Sequence, residues 1–225
     1  MNAERLQKTV FGNLEALGFR PANWLPMPDV SKTLRPASQI AARLMAMEAL
    51  FTWVSAPPGA VPSSALMNYV ARSLLRDWLT PDETKILDLP REEAHNAHVD
   101  VIGWRLENMW PLAWILGFEP TPNLQATQID DKISAALIHD FLPGPDGSID
   151  DLLSRTTPRP TDDVISLEYL FYCAHNAVRS AQLGGSTVPR GFHPVIHGGA
   201  VHERRHALTW SLAPGTAWEE TDLST

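Results

Sequence analysis

The chain has 225 residues, of which 44% are hydrophobic and 20% are charged, so we expect a globular protein with a sizeable core rather than a disordered one. Its net charge of −8 argues against nucleic acid as a partner, because phosphate binding requires clustered lysine and arginine. The one cysteine excludes an intrachain disulfide. No apolar run approaches the roughly 20 residues that span a bilayer, and the N-terminus lacks a secretory signal, so we expect a cytoplasmic protein without a membrane partner.

The N-terminal third of the chain is predicted to be helical, with a proline-rich connector. Residues 3–18 carry leucine and valine at helical spacing, which predicts an amphipathic helix. Four prolines interrupt residues 19–36 and predict an extended connector. A helix rich in alanine, leucine and methionine is expected over 37–54, and a third helix from Pro62 to about Trp78.

The middle of the chain is predicted to contain a short capped helix and a long one. Residues 80–83 read Thr-Pro-Asp-Glu, a capping box with proline at the first helical position. A helix from about Arg91 to Gly117 follows. Pro111 inside it predicts a kink, and Gly117 predicts its C-terminal end.

The C-terminal half is predicted to be helical as well. Helices are expected over 130–141 and 147–154, and the cleanest periodicity belongs to 163–183. After a glycine- and proline-rich stretch, a last helix is predicted to end near Leu212. No segment shows the alternation of a half-buried strand.

We therefore predict an all-α single globular domain of about eight or nine helices, packed around a buried tryptophan-rich helix. Within it, residues 1–36 form an N-terminal helix and the connector, and residues 37–225 form the helical core. The buried helix is the segment from Trp104 to Phe118, because its apolar side chains cover all sides. Arg105 and Glu107 lie on this segment and therefore require partners.

Two arginines of the last helix lie close to its apolar face. At 100° per residue, Arg205 falls roughly 40° and Arg204 roughly 60° from the centre of that face. Both guanidinium groups are expected to be at least partly buried, where each needs a carboxylate or several carbonyl oxygens. We predict Glu107 and Asp100 as partners.

Two interpretations of these charged residues stay open. They form either an internal ion network that fixes the helix register, or a polar pocket for an anionic or zwitterionic ligand. The residues of this network or pocket are Arg105, Glu107, Arg204, Arg205, Trp104, Trp110, Trp114 and Trp210.

Residues 202–206 match H-E-x-x-H, a pattern in which two histidines on one helical face bind Zn²⁺ and the glutamate acts as general base. The two intervening arginines would place positive charge beside the cation, and the acids that follow lie at no recognised spacing for a third ligand. We therefore predict no cofactor. A zinc hydrolase that uses His202, Glu203 and His206 is kept as an alternative.

A polar stripe runs along the helix predicted over 163–183, opposite its apolar face. Its members are Glu168, Tyr172, His175 and Arg179, and a solvated face is the simplest interpretation. If this face is buried instead, Glu168 and His175 form a plausible acid/base pair.

Four segments of the chain form an ordered set of motifs. They are L-R-P-A-S-Q-I-A-A-R-L-M-A-M at 34–47, W-R-L-E-N-M-W-P-L-A-W-I-L-G at 104–117, E-R-R-H-A-L-T-W at 203–210 and W-E-E-T-D-L-S-T at 218–225. In order and spacing the set resembles the bacterial domain of unknown function 4272 family. Ser224 stands where that family has a near-terminal aspartate, and Glu219 where aspartate is typical. The resemblance implies no established activity.

The sequence favours a non-enzymatic protein of the bacterial cytosol that interacts with another protein, as immunity and scaffold proteins do. The negative charge would steer a basic protein partner, and the chain carries no catalytic motif of good quality. Besides the zinc hydrolase, the alternative is a metal-free small-molecule pocket around Arg105, Glu107 and Arg204. The sequence does not specify an oligomeric state.

Overall fold

The chain is helical, as its periodicity predicts. A computed structural model describes residues 1–125 and 128–225. These residues contain ten α-helices and two short helical segments, and none of them lies in a strand, which confirms the all-α prediction. No helix in the described ranges is both long and apolar enough to cross a membrane.

The α-helices are numbered in chain order. They are α1 (Ala3–Ala16), α2 (Ala37–Ser55), α3 (Ser63–Arg72), α4 (Pro81–Asp88), α5 (Arg91–Ile102), α6 (Trp104–Ile115), α7 (Asp131–Ala136), α8 (Ile149–Ser154), α9 (Thr161–Gln182) and α10 (Ile196–Ser211). A 3-10 helix over Leu75–Trp78 precedes α4, and a π-helical segment over Leu137–Phe141 follows α7. The predicted capping box starts α4, with Thr80 and Glu83 bonded reciprocally.

The long helix predicted from Arg91 to Gly117 is two helices in the structure. α5 ends at Ile102 and α6 begins at Trp104, so the interruption lies at Gly103. α6 continues through Pro111, where the sequence predicts a kink. Glycine has a low helix propensity, which favours an interruption at Gly103.

The structure divides into two compact units. Unit 1 consists of Met1–Arg35, Pro122–Gln128 and Arg159–Thr225, and unit 2 of Pro36–Thr121 and Ile129–Pro158. In unit 1, α9 contacts both α1 and α10 and buries its predicted apolar stripe, including Phe171 and Val178.

In unit 2, most helices pack on α2. This helix contacts α3, α4, α5, α6 and α8, and every residue from Ile40 to Leu50 is buried. α6 is buried from Glu107 to Ile115, as predicted for the tryptophan-rich segment. Both helices are apolar on nearly all sides, so their few charged residues are placed inside the unit.

Gly117 ends α6 as the sequence predicts. The Gly117 amide bonds to the Trp114 carbonyl and the Phe118 amide to the Ala113 carbonyl, which is the bond pattern of a Schellman motif. Gly117 has a φ of +107°, a backbone conformation that favours glycine. Gly184 ends α9 with the same pattern of bonds and a φ of +95°.

We predict that Gly117→Ala lowers the free energy of unfolding by more than Gly184→Ala does. The positive φ costs roughly 1–2 kcal/mol in either variant. A Cβ at Gly117 would lie 2.8 Å from the Thr157 carbonyl oxygen, whereas a Cβ at Gly184 meets no atom within 4 Å. Urea unfolding followed by circular dichroism measures both losses. Equal losses would contradict the prediction, since only the Thr157 contact separates the two sites.

Candidate functional site

The charged residues of α6 are engaged within unit 2. Glu107 is buried and accepts a hydrogen bond of 2.7 Å from the Ile129 amide. Arg105 Nη2 lies 3.3 Å from Glu83 Oε1, and Arg43 Nη1 lies 2.6 Å from Glu83 Oε2. Glu83 was not predicted from the sequence as the partner of Arg105, because the capping box already gives this glutamate a hydrogen-bonding role.

Glu83 is a fully buried carboxylate with three sources of stabilisation. Burial alone would raise the pKa of Glu83, but Arg43, Arg105 and the Thr80 amide together hold it below its usual value. The carboxylate is therefore ionised at neutral pH. This arrangement is an internal ion network, one of the two interpretations that the sequence left open for Arg105.

The tryptophans of α6 anchor the chain that follows the helix. Trp110 Nε1 donates to the Pro120 carbonyl at 2.7 Å, and Trp114 Nε1 donates to Thr121 Oγ1 at 3.1 Å. Both indoles are buried, whereas Trp104 at the start of the helix is half-buried.

Arg204 and Arg205 on α10 are both buried, as their position near the apolar face predicts. Arg204 Nη1 donates to the Asn123 carbonyl at 2.7 Å. Asp100, one of the two predicted partners, is exposed on α5 of unit 2, so its pairing with the arginines of unit 1 stays a prediction. Glu107, the other predicted partner, belongs to unit 2 while both arginines belong to unit 1, and that pairing stays a prediction.

Arg205 binds the C-terminal residues through backbone carbonyls. Its Nη1 donates to the Leu223 carbonyl at 2.9 Å and to His175 Nδ1 at 2.6 Å, and its Nη2 donates to the Ser224 carbonyl at 2.9 Å. The guanidinium also lies 4.9 Å from the centre of the Tyr172 ring, within cation–π range. Arg205 thus takes the second route open to a buried arginine, several neutral acceptors in place of a direct carboxylate.

The H-E-x-x-H residues lie on α10 but assemble no set of three metal ligands. The rings of His202 and His206 are 6.4 Å apart. His206 stacks on Trp218 at 4.2 Å, with its Nε2 2.9 Å from the Trp218 carbonyl. Across residues 1–125 and 128–225, no group of three histidine, cysteine, aspartate or glutamate side chains is arranged to hold a metal ion. Glu203 is half-buried beside them.

The polar stripe of α9 is buried at Glu168 and His175, so the prediction of a solvated face is wrong for these two residues. Glu168 is 4% and His175 5% exposed, while Tyr172 is half-buried and Arg179 is exposed. α10 packs on α9, and Arg205 of α10 donates a hydrogen bond to His175 of α9. Helical periodicity identifies an apolar face but does not show that a second, polar face is covered.

His175 is a neutral imidazole held by Arg205. Burial is the main cause that lowers the pKa of His175 to about 3, and the positive charge of Arg205 adds to it. Because His175 Nδ1 accepts a hydrogen bond from Arg205, its Nε2 carries the proton. That Nε2 lies 3.5 Å from His202 Nδ1. Glu168 and His175 share no hydrogen bond and so do not form the acid/base pair considered from the sequence.

A polar cavity of about 420 Å³ opens beside Glu168 and Arg205, and we call it the unit 1 cavity. Its lining residues are Pro26, Met27, Pro28, Asp29, Lys32, Glu168, Tyr169, Tyr172, Arg205, Thr209, Asp222 and Ser224. Glu168 accepts hydrogen bonds from Lys32 Nζ and from Thr209 Oγ1, each at 3.0 Å. Charged groups of both signs therefore meet at this cavity.

Residues from three motif segments meet in unit 1, and the first segment contributes Arg35. Trp210 of the third segment lies 5.3 Å from Trp218 of the fourth, and Arg205 binds the carbonyls of 223 and 224. Arg35, from the first segment, stacks on Trp210 at 4.1 Å and donates from Nε to the Trp210 carbonyl at 2.7 Å. Arg35 was not predicted from the sequence, because no local pattern connects it with a residue 175 positions later.

A family model described as domain of unknown function 4272 matches residues 6–221. The chain belongs to this family. The match begins within α1, whereas the recognised motifs begin at residue 34. No curated protein and no solved structure matches the chain.

We predict that His175 stays neutral in this family member from pH 7 down to about pH 4, since its pKa is about 3. A histidine in the unfolded chain takes up a proton near pH 6.5. The unfolded state therefore binds more protons below pH 6.5, and stability is lost as the pH falls below that value. Imidazole ¹⁵N chemical shifts, followed by NMR from pH 7 to pH 4, report the protonation state.

Two arginine variants test why the pKa of His175 is lowered. Arg205→Met removes the adjacent charge and is expected to raise the pKa of His175, whereas Arg179→Met removes an exposed and weaker contributor. A His175 that titrates near pH 6.5 in the wild type, or responds equally to both variants, would contradict the assignment.

Proposed function

We propose that the protein binds a small zwitterionic molecule of the amino-acid class in the unit 1 cavity. The observation that carries the proposal is the buried Glu168 carboxylate at this cavity, bonded to Lys32 and close to Arg205. An ammonium group fits Glu168 and Asp222, and a carboxylate fits Lys32 and the neighbouring Arg205. The cavity lies within the size range of small-molecule sites.

The position of Lys32 supports a binding role. Its side chain is 29% exposed and comes from the connector, whereas Glu168 is held within α9. An ion pair that is partly exposed to solvent contributes little net stability, because water competes with the attraction between the charges. An ion pair at a polar cavity is therefore better explained by recognition of a charged ligand than by stability.

The side chain of Tyr172 supplies a further contact surface. It stacks with Tyr169 at 6.0 Å and lies against Arg205, which fixes its ring beside the cavity. An aromatic ring of this kind provides apolar surface on which the body of a ligand can pack.

Calorimetry with the free amino acids tests the proposal. At least one amino acid is expected to bind, and its methyl ester and its N-acetyl derivative are each expected to bind at least about tenfold more weakly, since each loses one charge-assisted contact of roughly 1.5 kcal/mol or more. If no amino acid binds, or if the derivatives bind equally well, the proposal is wrong.

Lys32→Met is the variant that tests the site itself. We predict that it weakens binding of the same amino acid by at least about tenfold, because the ligand carboxylate loses its cationic partner. Lys85→Met is the matched control, since Lys85 also pairs with an acid, Asp82, but in an exposed position of unit 2. An equal effect of both substitutions would assign the binding to another site.

The protein-interaction function that the sequence favours is a second proposal, supported by one structural observation. Trp24 is 69% and Met27 is 53% exposed, and both lie in the connector of unit 1. Exposed tryptophan is a frequent energetic centre of protein interfaces. Trp24→Ala should remove a partner that copurifies from the native host, whereas Leu183→Ala, at a residue 86% exposed, should retain it. Retention of the partner by Trp24→Ala would contradict this second proposal.

A further inference from the structure

A second cavity, of about 550 Å³, lies within unit 2, and we call it the unit 2 cavity. Most of its wall is apolar and comes from α2 and the loop after it, α6, α7, the π-helical segment and the loop before α8. The apolar wall includes Phe51, Val61, Leu106, Ile138, Leu142 and Pro143. Glu48 of α2 is the carboxylate that lines this cavity.

Glu48 is a buried carboxyl group that forms no ion pair with a described residue. It is 4% exposed, and its Oε2 accepts a hydrogen bond of 2.8 Å from the Tyr69 hydroxyl. No lysine, arginine or histidine of the described chain lies within 4.0 Å of it. Burial raises the pKa of Glu48 to about 7, and Tyr69, the Gly144 amide and the more distant Arg155 oppose the rise.

The π-helical segment and the loop that follows it are held in place by hydrogen bonds from Arg72 and Arg155, which do not line the cavity. Arg72 Nη2 donates to the Pro145 carbonyl and, at 2.8 Å, to the Gly147 carbonyl. Arg155 Nη2 donates to the Phe141 carbonyl at 2.8 Å, at the end of the π-helical segment. A π-helical turn is a rare feature that is frequent at functional sites. The cavity is therefore shaped by the fold before any ligand enters.

We propose that the unit 2 cavity binds a small apolar molecule that carries a protonated amine, with the ammonium group hydrogen-bonded to Glu48. An ionised carboxylate buried beside apolar side chains is unfavourable without a counter-charge. A ligand ammonium supplies that charge, and the apolar body of the ligand fills the space along Phe51, Leu106 and Ile138. Binding occurs without any covalent step.

The charged and titratable groups around Glu48 define how binding depends on pH. Among the residues that the structure describes, the groups near the carboxyl or on the cavity wall are Tyr69 on α3, Arg155 after α8 and His139 of the π-helical segment. Glu48 must release its proton before it can accept an ammonium group as an ion pair. Binding is therefore expected to strengthen as the pH rises towards 7 and to level off above it.

Calorimetry with 2-phenylethylamine, compared with 2-phenylethanol, tests this inference on the full chain. The amine keeps its proton to about pH 10, as a lysine side chain does. At pH 8 the amine is expected to bind at least about tenfold more tightly than the alcohol. Below pH 7 the association constant of the amine should fall about tenfold for each pH unit, because the Glu48 carboxylate is protonated by one proton. An alcohol that binds as tightly as the amine would overturn the proposal.

Three variants locate the site and its charge. Glu48→Gln keeps an acceptor for Tyr69 but is expected to abolish both the preference for the amine and its pH dependence. Tyr69→Phe removes a bond that lowers the pKa of Glu48, so the pH midpoint of amine binding should move upwards. Ala135→Trp, at an exposed residue of the cavity wall, should weaken binding of both probes.

These outcomes are independent of the zwitterion proposal for unit 1. Lys32→Met should leave 2-phenylethylamine binding unchanged, and Glu48→Gln should leave amino-acid binding unchanged. Glu48→Gln protein that melts cooperatively and binds the amine as the wild type does would overturn the inference for unit 2 alone.

Discussion

Buried guanidinium groups bound to backbone carbonyls organise both units of this protein. The last carbonyls of an α-helix have no partner within the helix, and the helix dipole makes them favourable sites for a cation. Arg35 occupies this position at the end of α10, where it donates to the carbonyls of Trp210, Ala213 and Thr216. Arg91 does the same at the end of α2, with the carbonyls of Thr52, Trp53 and Ala56 as acceptors.

The need of a buried guanidinium group for several acceptors also determines the chemistry of the unit 1 cavity. Arg205 uses its terminal nitrogens on His175 and on the carbonyls of Leu223 and Ser224, so it forms no ion pair with Glu168. Glu168 pairs instead with Lys32, a side chain that is still partly exposed to solvent. Both signs of charge therefore remain at one open cavity. A direct ion pair between Arg205 and Glu168 would instead have balanced both charges within the fold.

Interactions between residues close together in the sequence were predictable, whereas contacts formed by tertiary packing were not. The capping box of α4 and the end of α6 at Gly117 are set by residues within one helical turn, and both were predictable. The partner of Arg105 was not predictable, because tertiary packing brings Glu83 close to this arginine. The prediction that Glu168 and His175 of α9 are solvated failed for the same reason, since the two residues are buried where α10 packs on α9.

Two buried glutamates of unit 2 show how the surroundings of a carboxyl group separate structural from binding roles. Glu83 receives Arg43, Arg105 and a backbone amide, so its pKa lies below the usual value and its charge is satisfied within the fold. Glu48 receives a tyrosine hydroxyl, and burial raises its pKa to about 7. Arg43 and Glu48 lie five residues apart on the same helix, yet Arg43 bonds to Glu83. The cation available to α2 is thus committed elsewhere, and the remaining carboxyl group lines a cavity where a ligand can provide the missing charge.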